Sequence, residues 1–208
     1  MTDPARLRPS PELVVPSIGP ADRLVSLPAL RLVDARDGAP PRLPTAVRVA
    51  RRGGELLVRF DGRDAGVVAT RTRRDDALWT EDVFEIFLAP PNSPAVYYEF
   101  EVNPLGALFD ARVASPEGRR ESMRVDVAWN CAGFRARVSR RPDRWSARIA
   151  IPLAPMGGDR DGVWRANFYR IDRGAPGEGG DEFSAWSPTG ADPPDFHRPD
   201  RFGILRLE

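Results

Sequence analysis

The stretch VFEIFLAPPNSPAVYYEFEVN, residues 83–103, reads as two strands with a turn between them. Successive side chains of a strand point to opposite faces. In the first run Phe84, Ile86 and Leu88 share one apolar face, while Glu85 lies on the other with Val83 and Phe87. In the second run Tyr98, Phe100 and Val102 form the apolar face, and Tyr97, Glu99, Glu101 and Asn103 line the opposite one. Paired as a hairpin, these runs give a sheet with one oily face and one face of carboxylates, an amide and aromatics. Such a polar face is either a solvated exterior or a surface that hydrogen-bonds a hydroxyl-rich ligand, and alternation alone leaves both readings open.

The same period extends outward in both directions. Strands are expected at 29–34, 46–50, 56–60, 107–113, 124–128, 134–139, 145–151, 163–171 and 202–207. Gly53-Gly54 tolerates the positive φ of a tight turn and predicts a hairpin joining 46–50 to 56–60. No helical stripe is present beyond a short turn near Pro155-Met156-Gly157. About ten short strands at this spacing predict an all-β, antiparallel, jelly-roll-like β-sandwich built as a single domain over residues 29–208. Six prolines before residue 29 predict an extended N-terminal arm over 1–28, because proline fixes φ and removes a donor. Two loops, 172–181 and 187–201, are long enough to carry function.

Composition narrows the chemistry. The 208 residues include one cysteine, Cys131, and one histidine, His197, which excludes an internal disulfide and cysteine- or histidine-rich metal centres. Cys131 reads as a small packing residue. Every one of the 31 basic residues is arginine, balanced by 30 acids that are interspersed with them, so charge gives no sign of a nucleic-acid face. No apolar run approaches the roughly 20 residues of a membrane-spanning helix, and the N-terminus lacks the apolar core of a signal peptide. The expectation is a soluble, cytoplasmic chain as given, extracellular if the natural chain is longer.

Of the five tryptophans, Trp129, Trp145 and Trp164 lie in or beside strands and read as core. Trp79 and Trp186 flank loops and read equally as plugs over the core or as stacking platforms.

Three segments together resemble family 9 carbohydrate-binding modules and their DOMON-like relatives. They are Leu78 to Leu88, Tyr97 to Asp110, and Trp164 to Asp172 followed by Phe183-Ser184-Ala185-Trp186-Ser187-Pro188-Thr189. The resemblance implies a non-catalytic β-sandwich that holds a mono- or oligosaccharide between two aromatic rings, matched here by Trp79 and Trp186. It further implies Glu85, six positions after Trp79, as a hydroxyl partner. An arginine from the late strand or its loop is implied as well, matched by Arg170 or Arg173, with Glu101 and Asn103 as weaker matches. No cofactor, nucleic acid or membrane is implied. Structural calcium is found in some members, and Asp75, Asp76, Glu81 and Asp82 are the acids that could hold it. Two rivals stand beside this reading. A glycosidase would use Glu85 with Glu99 or Glu101. A haem-binding electron-transfer domain would need His197, Met123 or Met156 as axial ligands.

Overall fold

A computed structural model describes residues 9–64, 66–91, 93, 95–118, 120–157, 162–174 and 179–208. The fold is a two-layer β-sandwich. Its strands are β1 (Glu12–Val15), β2 (Leu30–Arg31), β3 (Val33–Asp34), β4 (Thr45–Arg52), β5 (Glu55–Arg63), β6 (Val83–Ala89), β7 (Val96–Val102), β8 (Leu108–Ala114), β9 (Arg124–Asp126), β10 (Arg135–Arg141), β11 (Arg144–Pro152), β12 (Gly162–Asp172), β13 (Glu182–Ala185) and β14 (Gly203–Leu207). The larger sheet runs β1-β14-β12-β6-β7-β8-β9, with β13 also paired to β12 and β3 to β13. The smaller sheet runs β10-β11-β5-β4-β2.

The two runs quoted above pair as expected. β6 and β7 are antiparallel, with Glu85 opposite Glu101 and Phe87 opposite Glu99. The Gly53 turn joins β4 to β5, with φ of +58° at Gly53. The expected strand at 29–34 is broken at Leu32, so that β2 joins the smaller sheet and β3 the larger. The proline-rich arm contributes β1, which lies parallel to β14 at the sheet edge. An edge strand tolerates proline at its ends because one row of its backbone donors needs no partner. A 3-10 turn at Ala154–Met156 takes the place expected for helical structure.

The main core fills the space between the sheets. Phe84 stacks on Phe60 at 4.6 Å and on Trp145 at 3.7 Å, and Phe60 meets Phe168 edge-on at 6.2 Å. Each such ring contributes about 1.5–3 kcal/mol by leaving water. Gly62 is required here: a Cβ at this position would come within 2.9 Å of Phe84 Cζ and 3.0 Å of Arg170 Nη1. Trp129, Trp145 and Trp164 pack in or against this core, as does Cys131. A second apolar cluster lies on the opposite face of the larger sheet, where Phe87, Tyr97 and Tyr169 meet Phe196 and Phe202 from the segment between β13 and β14.

The smaller sheet sorts charges that the sequence intersperses. Arg48, Arg59, Arg148 and Arg137 stand directly opposite one another on β4, β5, β11 and β10, forming a row across four strands. Asp61 answers two of them, pairing with Arg48 at 3.1 Å and with Arg59. No helix among the described residues is long and apolar enough to cross a membrane.

Candidate functional site

The outer face of the larger sheet carries a cleft of about 490 Å³. Its floor is formed by Glu85 and Phe87 from β6, Glu99 from β7 and Ile171 from β12. One wall holds Trp79, Phe109, Val125 and Val127, and the other holds Phe183, Pro194 and Phe196. Arg120, Met123, Arg173, Asp195 and His197 complete the rim. A larger hollow of about 680 Å³ lies on the smaller sheet, lined by Arg23, Arg52, Arg135, Arg137 and Arg148 among aliphatic residues. It offers neither an aromatic ring nor a buried acid, so residue chemistry, and not size, selects the first cleft.

Trp79 sits in a 3-10 turn, Leu78–Thr80, just before β6. Leu78 anchors that turn in the core, and the indole stands 41% exposed with its edge toward Phe109 at 5.2 Å. A large aromatic left half in water at the mouth of a cleft leaves apolar area free to stack on another molecule. Arg173, one residue past β12, ties the two walls together. Its Nη2 donates to the Trp79 carbonyl at 2.6 Å, its Nη1 pairs with Asp181 at 2.5 Å, and its guanidinium lies 5.3 Å over the Phe183 ring.

Glu85, Glu99 and Glu101 converge beneath this rim, with a carboxylate oxygen of each within 4.8 Å of the other two. All three are buried. Burial, followed by the nearby Glu99 charge, holds the Glu85 carboxyl well above its usual range. Burial likewise lifts Glu101, reinforced by repulsion from Glu85 and Glu99. Glu99 is pushed up to about 7 by burial. At neutral pH Glu99 can therefore either donate or accept a hydrogen bond.

Three expected site residues lie elsewhere. Trp186 is 7% exposed and belongs to the main core, 5.5 Å from Phe168. It continues β13, donating its backbone N–H to Phe168 O, and alternation turns its ring inward while Phe183 turns toward the cleft. Arg170 also points inward. It pairs with Asp64 at 3.1 Å and with Asp172, and donates to Thr45 Oγ1 at 3.2 Å. Asn103 is consumed by its own turn: Oδ1 accepts the Leu105 and Ala107 N–H groups, and Nδ2 donates to Arg71 O. Glu85 and Arg173 do line the cleft, and Glu101 lies with Glu85 and Glu99.

Asp75, Asp76, Glu81 and Asp82, the acids that could hold calcium, do not assemble with one another among the described residues. Asp76 pairs with Arg73, Asp75 lies 3.8 Å from Arg74, and Glu81 accepts from Thr70 and Arg71. Asp82 joins Asp64 and Asp172 instead. Of the candidate haem ligands, Met156 is buried in the main core. Met123 Sδ and His197 Nδ1 both meet the Tyr97 hydroxyl, at 3.4 and 2.8 Å.

Glu99, Phe109, Val125, Val127 and Phe183 join the site without having been singled out as ligand contacts. Alternation places Glu99 on the correct face, but the register that brings β8, β9 and β13 around it is non-local and leaves no mark in any one segment.

A β-sandwich with an exposed indole over acids on the outer face of one sheet is the architecture of a small-ligand binding module. The chain belongs to carbohydrate-binding family 9, whose model matches residues 39–207. That family consists of non-catalytic binding modules, which sets the chain apart from the glycosidases. Among solved structures it is similar to a candidate carbohydrate-binding protein from Bacteroides uniformis, at 21% identity and TM-score 0.77, covering 96% of this chain and 100% of that one. It is also similar to a family 9 module from Caldicellulosiruptor kristjanssonii in complex with cellotriose, at 13% identity and TM-score 0.67 over 95% and 93% of the two chains. The same organism's module in complex with glucose gives 14% identity and TM-score 0.62, over 95% of each chain. An "Extracellular protein" of Arthroderma benhamiae is 26% identical over 138 residues, which span 61% of this chain and 62% of that protein's length.

Proposed function

We propose that the cleft binds a short glucan or its glucose end, with one pyranose face laid on Trp79 and its hydroxyls met by Glu85, Glu99 and Arg173. The observation that carries this reading is the exposed Trp79 indole standing over buried carboxylates in one cleft. A pyranose has apolar C–H faces and a polar rim, and the cleft offers the matching pair of surfaces. The indole takes a C–H face out of water, and the ring cloud favours contact with C–H groups. Phe183, on the opposite wall, takes the role that Trp186 was expected to play. The carboxyl groups below accept from, and when protonated donate to, the hydroxyls. Complexes of similar modules with cellotriose and glucose support the ligand class.

Titration calorimetry with glucose and cellotriose tests this. Trp79→Ala is expected to weaken binding at least about tenfold, and Glu85→Ala by about 3- to 10-fold, the loss of one neutral hydrogen bond. Unchanged affinity in both variants overturns the assignment.

A further inference from the structure

We propose that Glu85, Glu99 and Glu101 hold a hard divalent cation of the calcium class at the floor of the cleft, with its remaining coordination positions turned toward the ligand. Three observations carry this. The carboxylates present one oxygen each within 4.8 Å of the others, an all-oxygen set that suits such cations. Glu85 is 2% exposed and its Oε1 is buried with no hydrogen-bond partner; Glu101 is 0% exposed, and around its oxygens lie only the Trp79 backbone N–H and the Glu99 carboxyl, neither in good hydrogen-bond geometry. A buried polar atom without a partner is costly, and a carboxylate more so.

The two guanidinium groups nearest the triad act on it through space but bond to other partners. Arg173 is held by Asp181 and the Trp79 carbonyl, and Arg120 by Asp195 at 2.7 Å.

The molecule contains its own control. Asp64, Asp82 and Asp172 form a second buried triad with the same close spacing. That triad carries a resident cation, the Arg170 guanidinium, which bonds Asp64 and Asp172. Asp82 is satisfied separately by the Val68 and Arg173 N–H groups, each at 2.7 Å. The glutamate triad has no guanidinium bonded to it among the described residues, and unlike the aspartate triad it opens on the cleft through Glu85 and Glu99. Three carboxylates leave a calcium-class ion short of its six to eight oxygens, so water or hydroxyl oxygens in the cleft complete the shell.

The link to a saccharide rests on the proposed function, whereas the cation site does not. The test therefore starts without sugar. Tb³⁺ luminescence excited through tryptophan, with Ca²⁺ as competitor, is expected to report one site per folded chain. Glu101→Gln, nearly isosteric, should weaken it roughly 100-fold or more, and Glu99→Gln serves as the second variant should the first not fold. The surface pair Asp75→Asn and Asp76→Asn should leave it unchanged. Failure of the folded wild-type chain to bind Tb³⁺ or millimolar Ca²⁺ overturns the proposal, as does binding indifferent to both glutamate variants. Cellotriose titrations with and without EDTA form the second arm. Sugar binding without any cation site sinks this inference alone, and a cation site without sugar binding sinks the ligand reading alone.

Discussion

Trp186 separates a core residue from a ligand platform, and its truncation gives the sharpest contrast. The ring is 7% exposed, tilted against Phe168 at 5.5 Å. It also lies so close over Gly203 that a Cβ there would sit 2.4 Å from the indole. Trp186→Ala removes the ring and leaves a cavity that β13 and β14 cannot close, because both are pinned by their ladders to β12. Large-to-small changes of this kind cost about 3–5 kcal/mol. In a domain of this length each kcal/mol lowers Tm by about 2–4 °C, so the expected fall is roughly 6–20 °C. Scanning calorimetry gives Tm, and calorimetric titration with cellotriose, run well below both melting points, gives affinity on the folded fraction. The expected pair of results is a large loss of stability and an affinity within about twofold of wild type. A variant that melts within about 2 °C of wild type yet no longer binds sugar would refute the reasoning and return Trp186 to the binding site.

Trp79→Ala should do the reverse, shifting stability by no more than about 1 kcal/mol at this half-exposed position while weakening glucan binding. The single histidine gives an isolated ring resonance in proton NMR, and burial, followed by the Arg120 charge, should bring its titration to about 4. Because this lies below the unfolded value near 6.5, the His197 contribution to stability is complete above about pH 6.5 and is lost as pH falls toward 4. Arg170→Met strands Asp64 and Asp172 in the core and should cost about 3–5 kcal/mol near pH 7. Urea unfolding should show this penalty shrinking as acid protonates those carboxyls.

How much of this was legible in the sequence depends on which residues are asked. Two-residue alternation is local, so the two faces of 83–88 and 97–103 follow from the chain alone, as does the Gly53 hairpin. Parity relative to a partner strand is not local. Trp186 and Phe183 are three residues apart and sit on opposite faces, and only the β12–β13 register, with Phe183 opposite Ile171, decides which one faces the cleft. Arg170 alternates with Tyr169 and Ile171, which belong to the outer face, and shares the inner face with Phe168. An arginine among core positions reads as a surface residue until its partners Asp64 and Asp172, 106 and 2 residues away, are seen. Asn103 was placed on the correct strand face, but its amide closes a turn that the residues after it, ending at Gly106 with φ of +85°, bring back onto it. β13 is too short, at four residues, to announce itself between two loops.

The central claim is that sugar lies on Trp79 above the carboxylates, and a crystal structure of the chain soaked with cellotriose tests it most directly. The account predicts a pyranose ring packed against the Trp79 indole, with hydroxyls within hydrogen-bonding reach of Glu85 or Glu99, whether directly or through a bound cation. Cellotriose seated instead on the arginine-bearing face of the smaller sheet, with Trp79 facing only solvent, would contradict it.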